Sequence, residues 1–322
     1  MKRRKILVCG ATGFIGRNTA EHFAQHEDFE VYGTYLNSQP LSNQNIRMIK
    51  ADLRNSETVK NLVKDKDIVI QMAAITSGAK DIKTIPYIHV TDNAVMNSLI
   101  LRAAHDNKIP HVIFPSCSIM YQPSQSPIKE DSFHLSAEIP EKYFGAGWTK
   151  VYLEKMCEFY SKIGETKYTV IRHSNVYGPH DKFDLEKSHV LAATITKVMT
   201  EPDGGKITVW GDGQSEKDLV YITDLISFIE IAIDRQNSKF LLVNLGAGDG
   251  VSIREIVNKI INASGKVLKV EYDLSKASEK TKVVLDYGKA MREFGWVPKI
   301  SLDEGIRKTI EWYKEISAHR GM

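Results

Sequence analysis

Gly10, Gly13 and Gly16 directly follow the apolar run at 6–9 and open a stretch of helical periodicity at 14–25. Three glycines at that spacing between a strand and a helix restrict the fold more than any other feature of the chain. Gly10 allows a tight turn, Gly13 lets a pyrophosphate approach the backbone at the helix N-terminus, and Gly16 permits close helix packing. Thr12, Phe14 and Ile15 complete the expected phosphate-cradling loop. The second strand, expected at 29–36, ends without the acid that would hold a ribose 2′-hydroxyl. It also lacks the base that would hold a 2′-phosphate, and Arg17 is the one basic candidate nearby. A 2′-phosphate usually recruits a guanidinium or ammonium, so NAD(H) is favoured over NADP(H).

The pattern continues as alternating strands and helices. Strands are expected at 5–10, 29–36, 46–52, 67–73, 111–116 and 168–174, with helices at 14–25, 56–64, 87–106 and up to about 162. That alternation predicts βαβ units and an α/β, doubly wound parallel sheet, a Rossmann arrangement, with nearly continuous apolar strands because both sheet faces are covered. Beyond 177 the regularity weakens: helix 190–199, strand 207–211, helix 224–234, strand 240–246, then helices at 253–263 and 302–316. The expected division is a dinucleotide-binding domain over 1–176, to which 219–246 return, and a smaller C-terminal substrate lobe from 177–218 and 247–322.

Of the 322 residues 42% are hydrophobic and 26% charged, which excludes disorder, collagen and coiled coil as the main state. Basic residues (43) barely exceed acidic ones (40) and the signs are mixed along the chain, so nucleic acid is not an expected partner. The basic start at 2–5 precedes an apolar run too short for a signal peptide, and no stretch approaches about 18 uninterrupted apolar residues. No membrane association is expected. Cys9, Cys117 and Cys157 form an odd set without ligand spacing, which argues against disulfides and a structural zinc site, so no metal is expected. A reducing cytoplasm fits.

The glycine spacing, Asp52 in 50–55, Ala73 and Ala74 after the fourth strand, and Asn93 in the following helix together resemble the extended short-chain dehydrogenase/reductase family over essentially the whole chain. That resemblance implies a nucleotide-sugar enzyme. Asp52, with Leu53, would meet the adenine, Ala73 and Ala74 would line the dinucleotide, and Asn93 would belong to the same site. The segments 170–190 and 209–224 are similar to the substrate signatures of the GDP-fucose synthase branch. By that likeness Asn175, Ser188, His189 and Val190 border the substrate, with Trp210, Lys217 and Lys282 near the nucleotide and diphosphate, and a GDP-linked sugar is favoured. Lys217 stands where the branch commonly has Arg, which keeps charge and loses the bidentate fork.

The departures fall in the catalytic core. Such enzymes pair a Tyr with a Lys four residues later on one helical face, the Lys lowering the Tyr pKa for proton exchange. Lys150 is present, but Ala146 occupies the Tyr position. Tyr143 lies two turns from Lys150, roughly 10 Å along a regular helix, and is the alternative acid/base candidate. Cys117 stands where the family's hydroxyl partner is expected, flanked by Ser118, and Ile119 replaces an epimerising Cys.

Together with the resemblance, these changes imply a dehydrogenase or keto-reductase acting at C4 of a GDP-hexose or GDP-heptose. In it Lys150 holds the nicotinamide ribose, Ser118 or Cys117 orients the C4 oxygen, and Tyr143, His189 or water exchanges the proton. A 4-epimerase or dehydratase is one alternative, although Ser118 and Ile119 occupy the place of a dehydratase's Asp-Glu pair. A dinucleotide-binding protein that has lost catalysis is the other. Apolar faces on the helices at 87–106 and 146–162 suggest a homodimer.

Overall fold

The computed structural model describes residues 2–75, 85–185, 188–276 and 282–320. Seven strands form one parallel sheet: β1 (Arg4–Cys9), β2 (Phe29–Tyr35), β3 (Ile46–Lys50), β4 (Ile68–Gln71), β5 (His111–Pro115), β6 (Lys167–His173) and β11 (Phe240–Leu245). Their order is β11-β6-β5-β4-β1-β2-β3. The chain runs outward from β1 to β3 and then jumps back to β4 beside β1, so the topological switch point lies at the carboxyl ends of β1 and β4.

Alternation along each strand supplies both faces. Leu7, Val69, Val112, Phe114, Tyr168 and Val170 bury into a cluster with α2 (Ser56–Val63), α3 (Thr91–Asp106) and α4 (Phe144–Ile163). Ile6, Val8, Ile68, Ile70, Ile113 and Ile171 bury on the opposite face with α1 (Phe14–Phe23) and α6 (Ile222–Arg235). Each fully buried aliphatic side chain contributes about 1.5–3 kcal/mol, and two covered faces explain why the strands read as apolar runs rather than alternating ones.

Short β7 (Asn175–Tyr177) and β10 (Leu219–Tyr221) pair in parallel beside the main sheet. The remaining strands belong to the second half of the chain. β8 (Lys206–Trp210) pairs with β13 (Lys269–Asp273), and β9 (Glu216–Lys217) with β12 (Val251–Ser252). Helices α5 (Val190–Thr200), α7 (Ile253–Ser264), α8 (Gly288–Phe294) and α9 (Leu302–Arg320) complete it. Ile207, Val209, Ile256, Ile260 and Ile306 join the same buried cluster as Ile6 and Val8, so the C-terminal lobe shares the core of the sheet.

The helix expected over 87–106 is broken: a 3₁₀ turn at Pro86–His89 precedes Val90, and α3 starts at Thr91. The hydrogen bonds change there from Val90 N to Tyr87 O (3.1 Å) to Ala94 N to Val90 O (2.9 Å). Val90 is wedged against Gly145, where a methyl group would lie 2.7 Å from its Cγ2. Helix α4 starts at Phe144, and β13 and α8 have no counterpart in the sequence reading. β13 is a half-buried strand whose partner lies 63 residues upstream, as the register Lys269 to Lys206 shows.

The largest buried polar feature is the ion pair Arg172–Glu154, 2.7 Å between Nη2 and Oε2 with each side chain 4% exposed. Ser116 Oγ donates to Glu154 (2.5 Å), and Arg172 donates to the Tyr121 hydroxyl (2.8 Å) and the Glu130 carbonyl (3.2 Å). Tyr121 in turn donates to Asn244 Oδ1 (2.9 Å). Glu154→Leu is expected to lose about 3–5 kcal/mol in urea denaturation because it strands a buried guanidinium. The double variant Glu154→Leu/Arg172→Met should lose clearly less, and equal losses would refute the pairing argument.

Candidate active site

Gly10 has φ +71°, and a side chain there would press into the Ala73 backbone, 2.6 Å from its Cα. A Cβ on Gly16 would overlap the Gly10 carbonyl oxygen. The turn between them is held by Gly13 N donating to Gly10 O (3.0 Å), Gly10 N to Thr34 Oγ1 (2.8 Å) and Ala11 N to Thr34 O (2.9 Å). Helix α1 starts at Phe14 with Gly13 as N-cap, no side-chain cap and no acid in its first turn. The amides of Phe14 and Ile15 therefore face the switch point with a positive helix end and no competing carboxylate, which fits a pyrophosphate. Thr12 Oγ1 reaches Ser38 Oγ at 3.3 Å across the rim of this loop.

The adenine-side candidates are partly engaged by their own surroundings. Asp52 accepts from Arg54 Nε (3.0 Å) and Nη2 (2.9 Å), which holds its carboxyl below the usual carboxylate range, and Arg54 also pairs with Asp92 (3.1 Å). Leu53 is buried in the core, so its side chain is closed to a ligand and only its backbone is left to meet one. Ala73 packs beside Gly10 and Ala74 is exposed. Asn93 spends its amide on the Ile75 backbone (2.9 and 3.0 Å) and on His89 O (3.0 Å). It positions the loop that carries Ala73 and Ala74 rather than offering its own amide.

Lys150 lies one turn after Ala146 in α4. Its ammonium donates to Pro115 O at the end of β5 (3.0 Å) and sits 4.9 Å from the centre of the Phe114 ring. Burial pushes the Lys150 pKa down, opposed by the neighbouring Cys117 and Glu154. The Cys117 thiol is pushed up by burial, opposed by Lys150, so the neutral thiol dominates at neutral pH. The Ser118 hydroxyl makes no hydrogen bond among the described residues, which leaves it available to a ligand. Tyr143 is half-buried ahead of Lys150. It ends a 3₁₀ turn (Glu141–Tyr143) just ahead of α4, packs on the cluster of Met120, Ile128, Ile139 and Leu285, and lies under the Lys142 ammonium (5.2 Å).

On the substrate side His189 is the N-cap of α5 and is solvent-accessible, with Val190 half-buried behind it. The protein around His189, with the Lys182 charge, pushes its pKa down, so the ring is neutral at pH 7. Ser188 donates to the Lys182 and Asp184 carbonyls, which spends its hydroxyl on the loop, and residues 186 and 187 of the signature lie outside the described set. Asn175 is exposed and ties its amide to Asp218 O (2.9 Å). Trp210 is 69% exposed at the end of β8, with Lys276 6.0 Å from its ring centre. Lys217 lies in β9 beside Glu216, and Glu216 pairs with Lys282 (2.9 Å).

Two groups escape a reading of the sequence alone. His173, at the end of β6, donates from Nδ1 to Ser174 O (2.7 Å), which leaves Nε2 as the acceptor of the neutral ring. Burial above all, with the charges of Lys150 and His189, pushes its pKa down to about 4. It thus joins Lys150 and His189 in one neighbourhood. Asp218 is buried and accepts from Ala247 N (2.7 Å) and Leu285 N (2.9 Å), its pKa pushed up to about 6 by burial. His173 sits inside the 170–190 signature, so its position was visible there. Asp218 carries no local pattern that sets it apart.

A model of the NAD dependent epimerase/dehydratase family matches residues 6–246. The chain is 29% identical over 318 residues to a GDP-L-colitose synthase of Yersinia pseudotuberculosis, covering 96% of this chain and 97% of that protein. It is 27% identical over 321 residues to a GDP-L-fucose synthase of Azorhizobium caulinodans, covering 97% of each. Its structure is similar to that of a UDP-glucose 4-epimerase from Thermotoga maritima with UDP-glucose, with a TM-score of 0.83 and 25% identity over 97% of this chain and 99% of that one.

The glycine geometry gives a direct test. Gly16→Ala is expected to cost about 1–3 kcal/mol through overpacking against Gly10 and to weaken NAD binding in calorimetry. Unchanged binding would remove the loop from the cofactor site.

Proposed function

Because the chain belongs to the NAD-dependent epimerase/dehydratase family and is an extended short-chain dehydrogenase/reductase acting on nucleotide sugars, we propose that it is an NAD-linked oxidoreductase at C4 of a GDP-hexose or GDP-heptose. One observation carries this reading. Lys150 is fixed on Pro115 O at the end of β5, three residues before Ser118, while Ala146 and Ile119 stand where the groups for a further carbon-proton exchange would be expected. The nicotinamide, when bound, supplies the hydride acceptor or donor.

The chain's own residues do the rest. Lys150, fixed on Pro115 O, holds the cofactor ribose. The free hydroxyl of Ser118 and the neutral thiol of Cys117 orient the C4 oxygen. His189, accessible and neutral, exchanges the C4 hydroxyl proton in place of the missing phenol, and Tyr143 stays in its packing cluster. Asn175 and Val190 line the sugar. Ser188 shapes the loop, Trp210 offers a stacking face to the base, and Lys217 offers charge to the diphosphate, joined by Lys282 once the phosphates draw it from Glu216 (2.9 Å).

A GDP-linked sugar is supported by the 170–190 and 209–224 signatures and by the colitose and fucose synthases above. NAD over NADP is supported by Arg17, whose guanidinium is tied to Glu21 (2.8 Å), which leaves the ribose side without a free cation from that residue. The proposed division places the dinucleotide on 1–176 with 219–246 and the sugar nucleotide on 177–218 with 247–322. No described helix is long and apolar enough to cross a membrane, and cytoplasmic action is part of the proposal. A homodimer is supported by the exposed stripe of Tyr152, Phe159 and Ile163 on α4 and by Val95 on α3.

The test is absorbance at 340 nm with GDP-, UDP- and dTDP-sugars and oxidised or reduced NAD and NADP. The expected result is a change confined to GDP-sugars and NAD(H), lowered about 10²–10⁴-fold in kcat by His189→Ala. A silent trace together with UDP-sugar isomerisation by chromatography would establish the epimerase alternative instead. Silence relieved by Ala146→Tyr would mark an impaired enzyme. In light scattering the protein is expected to be a dimer that Phe159→Glu converts to monomer, and a native monomer would refute the helix pairing.

A further inference from the structure

The C-terminal end of α1 meets the middle of α6 on the side of the sheet away from Lys150 and α4. There His22 Nε2 lies 3.1 Å from Glu230 Oε2, and His26 Nδ1 lies 3.8 Å from Glu230 Oε1. One ligand atom from each of the three side chains falls within 4.8 Å of the other two. We propose that His22, His26 and Glu230 form a binding site for a zinc-class divalent cation that ties α1 to α6.

The donor set matches that ion. Zinc takes imidazole nitrogen at about 2.0–2.1 Å and carboxylate oxygen at about 2.0–2.2 Å, so the donors of a tetrahedral site lie about 3.4 Å apart. The separations from Glu230, 3.1 and 3.8 Å, run to its two different oxygens, and with one ligand atom from each side chain the set lies within 4.8 Å, so small side-chain rotations would close it on the ion. Two imidazoles and one carboxylate leave a fourth position, and side chains 31%, 39% and 33% exposed give water access to it. Imidazole donors select zinc, copper or nickel over magnesium and calcium, which prefer sets built of oxygen alone.

Both rings are held in place before any ion arrives. His22 stands edge-on to Phe23 at 5.2 Å, and His26 lies 6.4 Å from Phe29. The His26 backbone is pinned by its own N–H to Phe23 O (3.2 Å) and by Phe29 N–H to its carbonyl (3.3 Å). His26 lies three residues beyond the end of α1, in the turn that follows, where its ring centre stands 4.8 Å from that of His22. The nearby guanidinium of Arg4 is taken by Asp234 (2.9 Å) and lies over Phe29 (4.5 Å), so it does not compete for Glu230. Metal binding at His22 Nε2 moves the ring proton of the neutral imidazole to Nδ1.

The same α1 opens at Gly13 on the dinucleotide loop. A cation at its far end would hold the helix to α6 without touching the catalytic groups. The experiment uses the untagged full chain, stripped with a chelator and titrated with zinc chloride by calorimetry, with thermal unfolding followed in parallel. The expected result is saturable binding with a Tm raised by a few degrees, both absent or weakened at least about tenfold in Glu230→Gln and in His26→Gln. Magnesium chloride should give neither effect. Zinc binding that is absent from the native chain, or that persists unchanged in both variants, would overturn the site. Should one variant lose its fold by circular dichroism, the other decides.

Discussion

The guanidinium of Arg172 is the point on which the upper part of the molecule depends. It is buried on β6, clasped by Glu154 of α4, and linked through Tyr121 and Asn244 to the segment after β5 and to β11. Asn244 adds a bond from Nδ2 to Ile128 O (2.8 Å), and its N–H donates to Glu130 (2.7 Å). A buried ion pair of this kind returns little net stability against a well-packed apolar replacement, because desolvation offsets the attraction. Its directional bonds instead fix how three neighbouring strands and one helix end relative to each other. Glu154 is also one turn from Lys150 on α4, so the same network bears on the ammonium above it.

Much of the sheet was legible because its strands are local apolar runs between helical periods. The boundaries of β1 and β6 differ from the expected ones by a residue at each end and those of β2 and β5 by a residue at the C-terminal end, the scale on which helix and strand ends fray. What could not be read depends on distance along the chain. Arg172 meets Glu154 from 18 positions away, and Glu230 meets His22 from 208. Neither pair leaves a local period. β13 failed for the same reason, since a short strand is defined by its partner and β8 lies far upstream. The break at Val90 is a local change of hydrogen-bond pattern beside Gly145 that no propensity encodes.

The candidate site divides along the same line. The glycine turn was readable because a positive φ demands glycine at Gly10 and the turn's own Gly10 carbonyl leaves no room for a Cβ at Gly16. Side-chain roles were less so. Asn93 and Ser188 bond their own loops, Leu53 is buried in the core, and Tyr143 packs half-buried beside a cluster, contacts that only the fold brings about. His173 went unnoticed for the opposite reason. A histidine within a known signature reads as scaffold until the fold sets its ring near two other titratable groups.

Cys117 has a bearing on durability. A sulfur beside a lysine at a reaction centre would ordinarily invite peroxides and electrophiles, since a nearby ammonium favours the thiolate. Here burial outweighs that charge and keeps the sulfur protonated. The chain therefore carries an oxidisable atom beside Lys150 in the form least open to oxidation. Any opening of the β5 end that let water in would lower that protection together with the positioning of Lys150.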